Sequence, residues 1–455
     1  MFQDEFFSED PSTCAASVQR PLRVALIGTG VVGSGTCQVL QRNADLIAQR
    51  AGRPIRVVMA VARDLRKAAQ VVGPEVQLVQ DGFLAVRHPD IDVVVEVMGG
   101  VGLAKDLVLE AIAHGKHVVT ANKALLAEHG REIFAAAEAR GVVVAYEGAV
   151  AVSIPIIKAL REGLAANRIH EVVGIVNGTS NFILSKMEEE GLDFATALAQ
   201  ATALGYAEAD PSFDVQGIDA AHKTALLAAN AFGADVPFAQ VHAQGITELD
   251  PWDMVCARAL GYRIKLLGIA RQADAAIEVR VHPTLVPQSH WLAQVQGAMN
   301  GIWVNTDAAG PTFHYGAGAG SETTASAVVA DLMDLARGAL SREAQRPLRV
   351  PHRSVQPAAI RSWPLVPMAR VVSRHYLRFE TGPGLRTPEL ACLQAQGIEV
   401  QQQAFVPHPA QPFRKAWVVL TQALSGGAMT VALQGLAEQS VGLISAAVWR
   451  LEDLA

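Results

Sequence analysis

The segment LRVALIGTGVVGSGTCQVL, residues 22–40, leaves the chain few choices. It reads as a buried strand, a glycine turn and a helix, with Gly28, Gly30 and Gly33 in the GxGxxG spacing. The first glycine permits a tight turn, the second lets backbone approach a pyrophosphate, and the third lets helix and strand pack closely. The helix N-terminus then turns its partial positive charge toward phosphate. Gly28, Gly30, Val32 and Gly33 are therefore candidate cofactor-binding residues.

Alternating apolar strands and helical segments follow. They run IRVVMAVA, DVVVEVMGG, a helix near KDLVLEAIAHG, HVVTAN, the helix KALLAEHGREIFAAAEARG, and VVVAYEG. Repeated units of this kind imply a doubly wound, Rossmann-type parallel sheet. An NAD-selective site places Asp or Glu at the end of the second strand to bond the ribose hydroxyls. Here Ala62 and Arg63 stand there, with Arg66 and Lys67 behind and Asp64 one residue late. Arg63 suits an extra phosphate, so NADP(H) is favoured over NAD(H). Arg66 and Lys67 read equally well as a solvated helix start.

With 455 residues, half of them hydrophobic, two or three domains are expected. The net charge of −6 and the lack of a basic stripe argue against nucleic acid. Cys14, Cys37, Cys256 and Cys392 are scattered and form no CxxC, so neither a disulfide framework nor a zinc site is expected. The first residues carry acids where a signal peptide needs bases, and no apolar run reaches membrane-span length. A cytoplasmic protein with no membrane partner follows.

A second stretch, ATALGYAEADPSFDVQGIDAAHK at residues 201–223, concentrates charge ahead of an apolar helix. A helix starting near Gly217 puts Asp219 and Lys223 one turn apart on one face. Exposed, such a pair would contribute a few tenths of a kcal/mol and carry no function. The neighbours Ala220, Ala221, Ala225, Leu226 and Leu227 leave little room for water, which favours a buried, functional pair. Carboxylates such as Glu208 and Asp219 suit an ammonium, and a lysine can exchange a proton when its environment tunes it.

The run Ala201, Gly205, Tyr206, Ala207, Asp210, Pro211, Asp214, Val215, Gly217, Asp219 and Lys223 resembles the signature of homoserine dehydrogenases. That resemblance implies reduction of L-aspartate 4-semialdehyde to L-homoserine with NAD(P)H, on the route to threonine and methionine. It covers residues 22–340 strongly and the remainder loosely. It assigns Lys223 and Lys123 as catalytic, the latter also touching cofactor, and Glu208, Asp214 and Asp219 as substrate-binding. Gly205 and Gly318 join Arg63 and the glycine turn as cofactor-binding residues. Without the resemblance, Lys123 reads as a surface helix lysine.

YEGAVAVSIPIIKAL, residues 146–160, resembles the family's exit from the nucleotide unit, where sodium or potassium is held by a glutamate and backbone carbonyls. Glu147, Val150, Val152 and Ile154 would be the ligands. Val152 and Ser153 stand where the family commonly has small residues, and a left-handed backbone there would be strained. Glu147 also reads as a helix cap. Asn177 and Thr179 serve either turn backbone or a ligand, and His222 and His282 read as structural.

The expected organisation is α/β throughout: a mobile leader to residue 20 and a Rossmann domain at 21–160. An α+β catalytic and dimerisation domain follows at 161–341, with 316–338 returning onto the cofactor. A linker at 342–367 leads to a βαββαβ, ferredoxin-like module at 368–455 that resembles an ACT domain. The last implies an amino-acid effector, threonine, although Thr381 stands where ACT domains carry Asp or Asn. A homodimer or homotetramer is expected. The rivals are an oxidoreductase for a related amino-acid aldehyde and a catalytically silent amino-acid sensor, which would have lost a lysine.

Overall fold

The computed structural model describes residues 20–207, 210–338, 359–381, 390–439 and 446–454. Six strands, β1 (Leu22–Ile27), β2 (Ile55–Val61), β3 (Gln77–Val79), β4 (Val93–Glu96), β5 (His117–Thr120) and β6 (Val144–Ala145), form a parallel sheet in the order β3-β2-β1-β4-β5-β6. Val24, Ala25, Leu26, Val93, Val94 and Val95 are fully buried. Helices cover both faces, which is why these strands are apolar without alternation. The strand order reverses between β1 and β4, so a crevice opens at their carboxyl ends. The edge strand β3 carries no clear sequence signal, being three residues of which Gln77 is exposed and Leu78 and Val79 are half-buried.

The helix Ser321–Gly338 comes back across this sheet and shares its core through Val328, Leu332 and Leu335. Ser321 Oγ donates to the Val31 carbonyl at 2.6 Å, and Arg42 pairs with Glu322. The returning segment read from the sequence thus lies on the first helix of the nucleotide unit.

The second sheet contains β7 (Ile169–Ile175), β8 (His242–Ala243), β9 (Tyr262–Ala273), β10 (Ala276–Pro287), β11 (Met299–Thr306) and β12 (Pro311–Ala317). The hairpin β9–β10 is its backbone, and the helix Ile218–Phe232 lies against it. Gly268 of β9 leaves only enough room for Thr224, since a Cβ there would stand 2.1 Å from Thr224 Oγ1.

The C-terminal strands β13 (Val372–Thr381), β14 (Val400–His408), β15 (Gln411–Thr421), β16 (Leu424–Ser425) and β17 (Ala446–Leu451) alternate with the helices Leu390–Ala395 and Gly426–Gln439. The order β17-β13-β15-β14, with antiparallel neighbours, is the expected βαββαβ arrangement. Two findings differ from a module hung on a linker. First, β17 pairs in parallel with β10, which fuses both units into one eleven-stranded sheet. Second, residues 359–367, read as linker, are built in: Asp235 N donates to the Arg361 carbonyl, and Ile277 exchanges hydrogen bonds with Pro364 and Val366. The Pro-Gly turn at residues 383–384 lies outside the described residues.

The sheet face of the C-terminal unit opposite its own helices meets the helix Pro251–Ala259. There the fully buried Asp253 accepts from Arg378 Nε at 2.6 Å and from the Tyr376 hydroxyl at 3.0 Å.

Candidate active site

At the glycine turn, Gly28 has φ +103°, and a Cβ there would meet the Val97 carbonyl at 2.8 Å. A Cβ on Gly33 would strike the Gly28 carbonyl at 2.1 Å, so both positions require glycine for strand and helix to pack. Gly30 faces open space instead. The helix Val31–Arg42 begins there with no side-chain cap and no acid in its first turn. Its N–H groups and dipole are thereby left for an anion, so these residues fit a dinucleotide. Val32, half-buried, sits in that first turn.

The Gly28 N–H bonds the Val61 carbonyl, which brings the end of β2 to the same crevice. Arg63 is exposed there. Asp64 accepts from the backbone N–H groups of Arg66 and Lys67 and caps the next helix. The late acid is thus committed to backbone.

Lys123 is the first residue of the helix Lys123–Arg140 and leaves the carboxyl end of β5. Its helix start is held by Asn122, whose side chain caps Leu125 and donates to the Gly100 carbonyl. Beneath it the buried Glu96 accepts from Thr120 Oγ1 at 2.7 Å, which ties β4 to β5. Burial pushes the Glu96 carboxyl up, against the hydrogen bonds from Thr120 and Met98. A single acid ending an apolar strand, as Glu96 does, carries no pattern in the sequence.

From the opposite unit, Gly217 at φ +80° starts the helix Ile218–Phe232 and places Asp219 in its first turn, where a carboxylate is favoured. Asp219 and Lys223 are both buried. Lys223 Nζ lies 2.7 Å from Asp219 Oδ2 and donates to the Val176 carbonyl at 2.9 Å. Lys123 Nζ stands 3.1 Å from Asp219 Oδ1. One carboxylate therefore holds two ammonium groups that lie a hundred residues apart in the chain. Burial alone would raise Asp219, yet Lys223 and Lys123, with hydrogen bonds from Lys223 and Asn177, hold it well below the usual carboxylate range. Asp214 is pushed up, by burial and by the Asp219 charge.

Asn177 ends the strand segment after β7. Its amide donates to Asp214 at 2.7 Å and to Asp219 at 2.8 Å, while its oxygen caps the helix Gly178–Glu190 through Ser180 N. Asn177 thus serves the helix start and also forms a carboxylate clasp that its sequence position does not reveal. Thr179 Oγ1 donates to the Tyr206 carbonyl and ties the Gly205 turn to this strand end. Gly318 packs under the same region, its N–H on the Ala298 carbonyl. Glu208 lies outside the described residues.

His222 is sandwiched between Phe213 and Phe238, and burial pushes it down to about 4. His282 is enclosed by Arg280 and Thr284. Both rings are packed in the interior.

At the exit from the nucleotide unit, Glu147 is buried and accepts from the backbone N–H groups of Ile157 and Lys158, so the capping reading is realised. Burial pushes its carboxyl up. Val152 has φ +58°, a left-handed conformation that strains a β-branched residue. Val150 and Ile154 are buried beside it, and a cavity of 450 Å³ opens along Glu147, Lys158 and Asp331. Both Glu147 oxygens are engaged by N–H groups and the Ile154 carbonyl accepts from Ile156 N at 2.8 Å, while Val150 and Val152 have only backbone carbonyls to offer a cation. Among the described residues no group of three or more His, Cys, Asp or Glu could hold a metal ion, and no helix is long and apolar enough to cross a membrane.

Residues 28–147 match the family model described as homoserine dehydrogenase, NAD binding domain, and residues 155–333 match the one described as homoserine dehydrogenase. The chain is 50% identical to a homoserine dehydrogenase of Neisseria gonorrhoeae and 51% identical to one of Pseudomonas aeruginosa. Each alignment covers 84% of this chain and 87% of the relative. The crystal structure of a homoserine dehydrogenase from Thiobacillus denitrificans superposes with a TM-score of 0.88 at 48% identity, over 96% of this chain and 99% of that one.

Proposed function

The chain belongs to the homoserine dehydrogenase family, and from that premise we propose how its residues divide the NAD(P)H-dependent reduction of L-aspartate 4-semialdehyde to L-homoserine. When bound, the reduced nicotinamide supplies the hydride that adds to the aldehyde carbon. As the C=O electron pair moves to oxygen, Lys223 gives that oxygen its proton and takes it back in the reverse direction. Lys123 provides a second positive charge beside the developing alkoxide. Asp219 holds both lysines in register and, with Glu208, completes the acidic wall for the substrate's ammonium. Asp214 supports that wall from behind. The observation that carries this reading is the Asp219 carboxylate shared by Lys223 at 2.7 Å and Lys123 at 3.1 Å.

Arg63, exposed at the end of β2 while Asp64 is engaged in a cap, supports a preference for NADP(H) over NAD(H). Glu147 with the carbonyls of Val150, Val152 and Ile154 would hold sodium or potassium. The ion would offset the buried carboxylate and steady the exit from the nucleotide unit. The C-terminal unit, by its βαββαβ order, supports threonine sensing, and the apolar edge near Trp291 and Tyr315 supports pairing into a homodimer or homotetramer. A cytoplasmic location completes the reading.

The test is NADPH oxidation by the purified protein with L-aspartate 4-semialdehyde, beside NADH and with threonine added. Rapid oxidation that Lys223→Ala lowers by about 1,000-fold is expected. Turnover surviving in that variant would remove Lys223 from the proton step.

A further inference from the structure

We propose that Asn177 is a positioning residue for the reaction, its side-chain amide clasping Asp214 and Asp219 so that Asp219 can hold the two lysines. The inference rests on the assignment of Lys223 and Lys123 above.

The geometry is specific. Asn177 is buried, and its Nδ2 reaches Asp214 Oδ1 at 2.7 Å and Asp219 Oδ2 at 2.8 Å. An amide nitrogen carries two hydrogens, so it can serve both carboxylates at once. A buried carboxylate, Asp219, and a half-buried one, Asp214, repel each other so close together, and charge-assisted donors are what allow them to share a site. Asp219 Oδ2 takes the amide and Lys223 together, while Oδ1 faces Lys123. The carboxylate plane is thereby fixed from three sides. The residue before Asn177 contributes as well, since the Val176 carbonyl accepts from Lys223. One short strand end therefore sets the position of Lys223 directly and, through Asp219, that of Lys123. Asp214 is held from a second direction: Ser180 Oγ bonds its carbonyl.

The same side chain has a local duty that can be separated from this one. Its oxygen caps the helix Gly178–Glu190. Asp caps a helix about as well as Asn, but an ionised carboxylate in that place would have no hydrogen to donate. Asn177→Asp thus keeps the cap and the shape and removes the clasp. Ser also caps, yet is too short to reach both acids, so Asn177→Ser provides a second variant without an added charge.

The experiment measures kcat, KM and the pH dependence of kcat for wild type, Asn177→Asp, Asn177→Ser and Lys223→Ala, with NADPH binding and thermal melting as folding checks. The titratable groups around the clasp are the charged Asp214, Asp219 and Lys223 and the neutral His222 on its own side, and the charged Lys123 from the facing helix. Both Asn177 variants are expected to bind NADPH and to lose roughly 100-fold or more in kcat, the loss that a misplaced catalytic group produces. In Asn177→Asp activity should recover toward acid pH, where a proton shared among three carboxyl groups restores a donor. In Asn177→Ser no such recovery is expected. Wild-type kcat and pH profile in a folded Asn177→Asp would overturn the inference and leave only a helix cap. Should Lys223→Ala itself turn over normally, the parent assignment fails independently of either Asn177 variant.

Discussion

Lys123 and Asp219 meet at 3.1 Å across the junction between the nucleotide unit and the substrate unit. One leaves the carboxyl end of β5 and the other opens the helix Ile218–Phe232. Because Asp219 also holds Lys223, this contact fixes where the Lys223 ammonium stands relative to the crevice of the parallel sheet. Chemistry at a carbonyl depends on that distance, and no local preference of either segment determines it.

Removal of the Lys223 ammonium, the proposed proton donor, should therefore separate chemistry from binding. Lys223→Ala is expected to lower kcat by about 1,000-fold, within the range for loss of a general acid. NADPH affinity, read by fluorescence titration, should stay within a factor of about three, because Lys223 lies in the substrate unit.

Cofactor choice should respond to Arg63. Arg63→Ala is expected to raise KM for NADPH about tenfold, the loss of roughly one charged phosphate contact, and to leave KM for NADH little changed. Asp64→Ala should act otherwise. It removes a helix cap, lowering stability by about 1 kcal/mol, with similar effects on both cofactors.

Backbone sign predicts a contrast between two buried valines. Val150, at φ −106°, should lose about 3 kcal/mol on substitution by glycine, from lost packing and added chain freedom. At Val152, with φ +58°, relief of strain offsets most of that loss, so Val152→Gly should fall within about 1 kcal/mol of wild type. Urea unfolding of the two variants compares them directly.

A pH effect should arise at Asp331. Burial pushes its carboxyl up from 3.8 to about 7; Lys158 opposes and the Glu147 charge adds. In the folded protein it keeps a proton that the unfolded chain has already released. Stability should then fall as pH rises from about 4 to about 7 and level off above. Asp331→Asn should flatten that decline, and melting temperatures across the window would show it.

The C-terminal unit should prove hard to detach. Asp253→Ala leaves Arg378 buried without its main partner and is expected to cost about 3 to 5 kcal/mol, measured by urea unfolding. A change near zero would mean that water reaches Arg378 once Asp253 is gone.

Much of this was legible in the sequence because it depends on neighbours in the chain. The turn at Gly28, Gly30 and Gly33 needs glycine for steric reasons that hold within a few residues. The short, valine-rich apolar runs of β1 and β4, each ending near glycine, read as strands covered on both faces. Asp219 and Lys223 share a helix face through helical periodicity alone, whereas the positive φ that strains Val152 came only with the backbone.

What the tertiary structure decided is every relation that crosses elements. Nothing near Asn177 in sequence indicates that its amide meets Asp214 and Asp219. Glu96 gives no sign that it will bond Thr120. Asp64 looked available to a ribose until its carboxylate turned to the next helix. The parallel pairing of β17 with β10, and of residues 361–366 with the second unit, joined a module that its composition set apart. The physical reason is common to all of these. Local sequence fixes the conformational preferences of a segment, whereas burial chooses its partners, because a polar group taken from water must find a donor or acceptor wherever the fold brings one.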